Sequence, residues 1–92
     1  MPKLLKVKIH GEVQGVGFRF EALRKAEELN LVGFARNERN HTVYIEAQGE
    51  RENLEKFLHW VEHHGPPLAK VTRVEAKFSN ELENYQSFRV VY

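Results

Sequence analysis

The 92-residue chain has 14 basic and 13 acidic residues, a formal net charge of +1 and 41% hydrophobic residues. That length suits one small domain with one core, and the charge balance excludes the broad field that usually binds nucleic acid or a membrane surface. The absence of cysteine excludes a disulfide framework, a thiolate zinc site and a cysteine nucleophile. The N-terminal residues lack a signal-peptide pattern, so we expect a cytoplasmic protein.

The first half of the chain predicts a strand, a helix and a hairpin. Near the N-terminus apolar residues alternate with polar ones, as in a half-buried strand: Leu5, Val7 and Ile9. Apolar residues then recur at spacings of three and four, which predicts a helix from Glu21 to Asn30. Residues 31–37 and 42–47 are predicted as two strands of a hairpin, in whose loop Asn40 is able to take a left-handed position.

The second half predicts a helix and two more strands. The helix spans about Glu52 to His63 and ends before a glycine and two prolines. Residues 69–78 and 87–92 are the predicted strands, with a polar loop between them. The order strand, helix, strand, strand, helix, strand, with a short strand added, predicts an α+β ferredoxin-like sandwich. In it two helices pack on one face of a four- to five-stranded, mostly antiparallel sheet.

The stretch GEVQGVGFR, residues 11–19, connects the first strand to the first helix and contains no proline. Gly11, Gly15 and Gly17 allow positive φ, so that successive N–H groups can turn toward one centre and bind an anion. Arg19 near the positive end of the helix dipole is unfavourable by about 0.3–1 kcal/mol, and a bound phosphate reverses that sign. From this loop alone, a plain turn with Arg19 in solvent is an equal alternative.

Residues 11–19 resemble the first signature of the acylphosphatase family, and GFARNERNHTVYIEAQG, residues 33–49, is similar to the second. Seven positions of the second signature are in register: Gly33, Phe34, Ala35, Arg36, Asn37, Val43 and Gly49. The resemblance covers essentially the whole chain and implies one acylphosphatase-like domain over residues 1–92. His41 departs from the pattern because the family has a glycine there, and we expect it to strain or reshape the turn at a cost of about 1 kcal/mol.

The resemblance implies hydrolysis of the carboxyl–phosphate bond of acyl phosphates. Arg19 matches the family's phosphate-binding arginine, and Asn37 matches the asparagine that positions the attacking water. The implied substrate-binding loop comprises Val13, Gln14, Gly15, Val16, Gly17 and Phe18. Three of these look like apolar anchors of the loop: Val13, Val16 and Phe18.

The chemistry of this reaction determines which cofactors and partners we expect. A carboxylate leaving group, whose conjugate acid has a pKa of about 4, departs without a general acid. Phosphoryl transfer then needs mainly positioning and charge stabilisation. We therefore expect no cofactor and no metal, and a monomer that acts on a small-molecule acyl phosphate without binding nucleic acid or a membrane.

Three other interpretations compete with this one. HWVEH, residues 59–63, matches a metalloprotease pattern and is followed by His64, but His59 and His63 lie on the predicted solvent face of the helix.

RNA-recognition motifs share the order of elements and are the second alternative. The outward positions of the two central strands nevertheless hold only one aromatic residue: Lys6, Lys8, His10, Thr42, Tyr44 and Glu46. The third interpretation is a phosphate-sensing or maturation domain of a larger enzyme. The short chain with Arg19 and Asn37 both present favours the free hydrolase.

Overall fold

The computed structural model describes residues 1–63 and 65–92, which form a five-stranded sheet with two helices on one face. The strands are β1 Pro2–Glu12, β2 Val32–Asn37, β3 Val43–Glu50, β4 Lys70–Ser79 and β5 Phe88–Val91. The helices are α1 Phe18–Glu28 and α2 Arg51–His63. His64, which follows α2, lies outside the described residues.

The strand order β4-β1-β3-β2-β5 determines what meets at each end of the sheet. β1 pairs antiparallel with β3 and β4, β2 pairs antiparallel with β3, and β5 pairs parallel with β2. β1, β2 and β5 therefore run in the same direction and end at the same end of the sheet. The loop after β1, the last residue of β2 and the last residue of β5 consequently lie at that end, with β3 between β1 and β2.

The core lies between the sheet and the helices, as the alternating and helical apolar patterns predict. The inward side chains of β1 and β3 are fully buried: Leu5, Val7, Ile9, Val43, Ile45 and Ala47. Each helix contributes three buried residues: Phe18, Ala22 and Ala26 from α1, and Leu54, Phe57 and Val61 from α2. Removing such apolar surface from water is the main force that holds helices on a sheet.

The predicted fold class is confirmed, and the predicted boundaries need small corrections. α1 begins at Phe18 rather than Glu21 because the Phe18 side chain is buried in the core. β1 extends to Glu12, since Gly11 and Glu12 still pair with β4 after an irregularity in register. The connection between β1 and α1 is therefore confined to residues 13–17, called the glycine loop below.

The β2–β3 hairpin differs from the prediction at two residues. The left-handed backbone belongs to His41, with φ of 67°, and not to Asn40. Thr42 is not an outward strand position, because it is buried and precedes β3. Its hydroxyl donates to the side-chain oxygen of Asn40 at 2.6 Å, which makes it part of the turn.

No helix among the described residues is long and apolar enough to cross a membrane. The two helices run for 11 and 13 residues, whereas a spanning helix needs about 20.

Candidate active site

The glycine loop has the backbone conformation that suits anion binding. Gly15 and Gly17 have φ of 76° and 77°, in the left-handed region, on either side of Val16. A Cβ atom at Gly15 or Gly17 would meet nothing within 4 Å, so backbone conformation and not crowding requires glycine there. Left-handed residues next to ordinary ones turn successive N–H groups toward a common side.

Two buried side chains fix the ends of the glycine loop. Val13 and Phe18 are each 1% exposed, and Val16 packs partly against the core between them. Phe18 also lies against Trp60 of α2, with 5.8 Å between the ring centroids. The anchoring expected of these three apolar residues is thus visible in their burial.

The N-terminus of α1 follows the glycine loop directly. Its N-cap is Gly17, which has no side chain to bond the first-turn N–H groups, and no side-chain cap is present among the described residues. Uncapped N–H groups and the positive end of the helix dipole attract anions. The one acidic residue of this turn, Glu21, is paired with Arg24.

Arg19, in the first turn of α1, is held from the side of β5. Its Nη1 donates to the carbonyl oxygen of Val91 at 3.0 Å, and its Cζ lies 4.9 Å from the centroid of the Tyr92 ring. The guanidinium is therefore fixed at the end of the sheet where β1, β2 and β5 end. Sequence reasoning missed both contacts, because a backbone carbonyl has no signature and the pairing of β5 with β2 is a tertiary property.

Asn37 is the last residue of β2 and lies on the helix side of the sheet. It alternates with Ala35, which is fully buried, whereas Arg36 points to the other face. Within residues 1–63 and 65–92 the Asn37 side chain has no hydrogen-bond partner, and no buried polar side-chain atom there is unpaired. Its polar atoms are consequently not fully buried, and the residue as a whole is half-buried.

Gln14 connects the glycine loop to the hairpin that follows Asn37. Its Nε2 donates to the carbonyl oxygens of Glu38 and Thr42, at 2.9 Å each. The same two carbonyls also accept backbone bonds inside the turn, from His41 and Glu38 respectively. One side chain thus sets the distance between the loop and the end of β2, a role that sequence reasoning did not assign to it.

His41 occupies the turn position where the family pattern has glycine. Its φ of 67° is one that glycine adopts without steric cost and that other residues adopt with strain. The strain expected from His41 therefore lies in its own backbone. Its side chain is exposed.

The other face of the sheet carries an aromatic and charged cluster. The Phe34 ring contacts Tyr44 and Tyr85 with centroids 5.9 and 6.0 Å apart, and the Arg36 guanidinium lies 5.2 Å from the Tyr44 ring. Glu46 accepts hydrogen bonds from both tyrosine hydroxyls. Burial, and then the hydrogen bond to Glu46, raises the pKa of Tyr44 and Tyr85 above the usual value of 10. The sheet separates this cluster from Asn37 and the glycine loop.

The histidines of α2 are on its solvent side. His59 and His63 are exposed, with ring centroids 4.5 Å apart. Across the part of the chain that the structure describes, no group of three or more His, Cys, Asp or Glu residues is placed to hold a metal ion.

The family model and the similar proteins that match this chain agree on one protein family. The acylphosphatase family model matches residues 5–90. An acylphosphatase of Archaeoglobus fulgidus is 49% identical over 88 residues, which cover 96% of this chain and 97% of that protein. The crystal structure of acylphosphatase from Bacillus subtilis has a TM-score of 0.94 and 33% identity, covering 98% of this chain and 99% of that chain.

A further similar structure is full-length HypF in a phosphate- and nucleotide-bound form, with a TM-score of 0.93 and 29% identity. It covers all of this chain but only 12% of HypF, so the same fold also occurs as a small part of a longer protein. The family model and the A. fulgidus relative, by contrast, match this chain nearly from end to end. The chain belongs to the acylphosphatase family, the enzymes that hydrolyse acyl phosphates.

Proposed function

We propose that residues 13–18 and Arg19 bind the phosphoryl group of an acyl phosphate and that Asn37 positions the water that attacks it. In this proposal residues 1–92 act as one acylphosphatase-like domain. The observation that carries it is the pair of hydrogen bonds from Gln14 to the hairpin, because they hold the glycine loop beside the end of β2. In this proposal an anion bound by the loop lies close to the amide of Asn37, the residue that precedes Glu38.

Phosphate binding follows from the donors at this end of the sheet. The left-handed Gly15 and Gly17 direct backbone N–H groups to one side, and the uncapped first turn of α1 adds more. Arg19 contributes a planar fork of donors that matches two phosphate oxygens at once. The arginine that is unfavourable at a helix N-terminus becomes favourable when a dianion lies between it and the dipole.

Water positioning suits an amide side chain. Asn37 carries both a donor and an acceptor, so it orients a water molecule without removing its proton. The water oxygen attacks phosphorus, the bond from phosphorus to the acyl oxygen breaks, and its electron pair leaves with the carboxylate. The protons of the water end on phosphate oxygens, so that the products are a carboxylate and inorganic phosphate. Positioning and charge stabilisation account for catalysis in such a loose transition state.

Hydrolysis of benzoyl phosphate in the presence of EDTA tests this proposal. The wild-type chain is expected to turn over without added metal and to be inhibited competitively by inorganic phosphate. Arg19→Ala should lower kcat/KM by roughly 100- to 1,000-fold, the usual effect of removing one donor to developing charge, and should abolish inhibition by phosphate. Arg39→Ala is the matched control, because Arg39 is exposed on the hairpin, and it should leave both constants unchanged.

The alternatives give different results in the same assay. Activity that disappears with EDTA contradicts the metal-free mechanism. Phosphate binding without turnover favours a sensing or maturation module. Equal activities of the Arg19 and Arg39 variants, with equal urea midpoints, would refute the role of Arg19.

A further inference from the structure

A pocket of about 310 Å³ opens beside the glycine loop. Its lining combines Val16 of the loop with Glu12 at the end of β1, His41 of the β2–β3 hairpin and Leu68 of the connection between α2 and β4. Gln14 lines it as well, and Gln14 and Val16 belong to the segment proposed to bind phosphate. A group attached to a phosphate in the glycine loop therefore has space beside it.

Leu68 is carried by a closed turn. The N–H of Ala69 donates to the carbonyl oxygen of Pro66 at 3.0 Å, and Pro66 is itself buried. Pro67 is the second residue of this turn, where its ring fixes φ at the value that the turn needs. The Leu68 side chain nevertheless is 76% exposed. A fixed backbone thus presents apolar surface at the pocket, and a ligand does not have to order the segment that carries it.

The pairing of β4 with β1 places this turn beside the glycine loop. Lys70, two residues after Leu68, pairs with Glu12, the last residue before the loop. Because the two strands are antiparallel, the chain before Lys70 and the chain after Glu12 lie at the same end of the sheet. Gly11 allows the close approach, since a Cβ atom there would lie 2.0 Å from the carbonyl oxygen of Lys70.

The direction of the acyl group follows from in-line displacement. The attacking and leaving oxygens lie on opposite sides of phosphorus in such a reaction. Asn37 ends β2 and Arg19 is held from β5, so both lie on one side of β3, whereas β1 and β4 lie on the other. With the attacking water on Asn37, the leaving carboxylate points away from β2, toward Glu12 and Leu68.

We propose that this pocket, lined by Glu12, Gln14, Val16, His41 and Leu68 and called the acyl pocket below, holds the acyl group of the substrate, and that Leu68 gives it a preference for bulky apolar acyl groups over acetyl. The inference rests on the proposed function and names the substrate class of that same site. It also extends the site to the α2–β4 connection, which neither signature segment includes. An aromatic ring beside Val16 and Leu68 removes apolar surface from water, and a methyl group removes much less.

The test compares kcat/KM for benzoyl phosphate with kcat/KM for acetyl phosphate in the same preparation. Leu68→Ser should lower the ratio of the two about three- to tenfold through the benzoyl value, with Ki for inorganic phosphate unchanged. Leu68→Met keeps an apolar side chain and should retain most of the wild-type ratio. Leu82→Ser is the matched control, because Leu82 is an exposed leucine in the loop before β5 and should leave every constant unchanged. Urea midpoints should stay at the wild-type value, since both leucines are exposed.

Inhibition by two phosphonates measures binding without turnover. Benzylphosphonate and methylphosphonate carry carbon where the substrate has the acyl oxygen, so neither is hydrolysed. The wild-type chain should bind benzylphosphonate more tightly than methylphosphonate, and Leu68→Ser should narrow the difference about three- to tenfold.

Equal Ki values for the two phosphonates in the wild type would overturn the inference. So would a benzoyl-to-acetyl ratio that Leu68→Ser leaves unchanged, or one that Leu82→Ser lowers as much. If neither acyl phosphate were hydrolysed, or if Arg19→Ala kept its affinity for inorganic phosphate, the proposed function would fail, and the acyl pocket with it.

Discussion

Gln14→Ala removes the side chain that joins the glycine loop to the hairpin. Two hydrogen bonds of 2.9 Å are lost, each with a net value of about 0.5–1.5 kcal/mol. The carbonyls of Glu38 and Thr42 keep their backbone partners, so neither is left unpaired in the interior. We therefore expect the free energy of unfolding to fall by only about 1–2 kcal/mol.

The effect on activity should be larger than this loss of stability suggests. Without Gln14 the loop and the end of β2 are free to separate, and displacement of a reacting group by about 1 Å lowers rates by up to roughly 100-fold. We expect kcat for benzoyl phosphate to fall about 10- to 100-fold. Urea unfolding followed by the fluorescence of Trp60, the single tryptophan of the chain, gives the stability of the same preparation.

Gln48→Ala is the matched control. Gln48 also makes two hydrogen bonds to backbone, with the carbonyl and the N–H of Glu83 at 2.9 and 2.7 Å, but these contacts connect β3 to the loop before β5. Its variant should lose a similar or smaller amount of stability and keep wild-type kcat. If the two variants lost activity equally, or if Gln14→Ala kept full activity, the coupling of loop and hairpin through Gln14 would be refuted.

Two further predictions concern stability. His41→Gly should raise the free energy of unfolding by about 0.5 kcal/mol, because the relief of left-handed strain exceeds the added freedom of glycine in the unfolded chain; a lower urea midpoint would contradict it. The raised pKa values of Tyr44 and Tyr85 mean that the folded state binds the hydroxyl protons of these tyrosines more tightly than the unfolded state does. Their contribution to the free energy of unfolding is therefore complete below about pH 10 and is lost as the pH rises further. Urea midpoints at about pH 9 and pH 11 should therefore differ less in Tyr44→Phe/Tyr85→Phe than in the wild type, and an equal difference would argue against it.

The sequence predicts the architecture well because its patterns are local. Burial of one face produces both patterns: the alternation of Leu5, Val7 and Ile9, and the helical spacing of Leu54 and Phe57. All five of these side chains are buried. The sequence pattern does not predict where α1 begins. The start of α1 depends on the packing of Phe18 against α2 and the sheet, which is a tertiary contact.

The components of the candidate site were predicted from the two motifs, whereas their connections were not. Gln14 belongs to the first motif, but its side chain bonds backbone carbonyls of a hairpin 24 and 28 residues away. Arg19 bonds a carbonyl 72 residues away, on a strand whose parallel pairing with β2 no local pattern reveals. Contacts to backbone carbonyls leave no side-chain signature, so only the fold makes them visible.

If phosphate binding and water positioning are performed by different residues, Asn37→Ala should remove the second and leave the first. Asn84→Ala, which changes an exposed asparagine in the loop before β5, is the control. We expect Asn37→Ala to lower kcat for benzoyl phosphate by roughly 100-fold while Ki for inorganic phosphate stays at the wild-type value. A variant with unchanged kcat, or one that loses phosphate binding together with turnover, would contradict it.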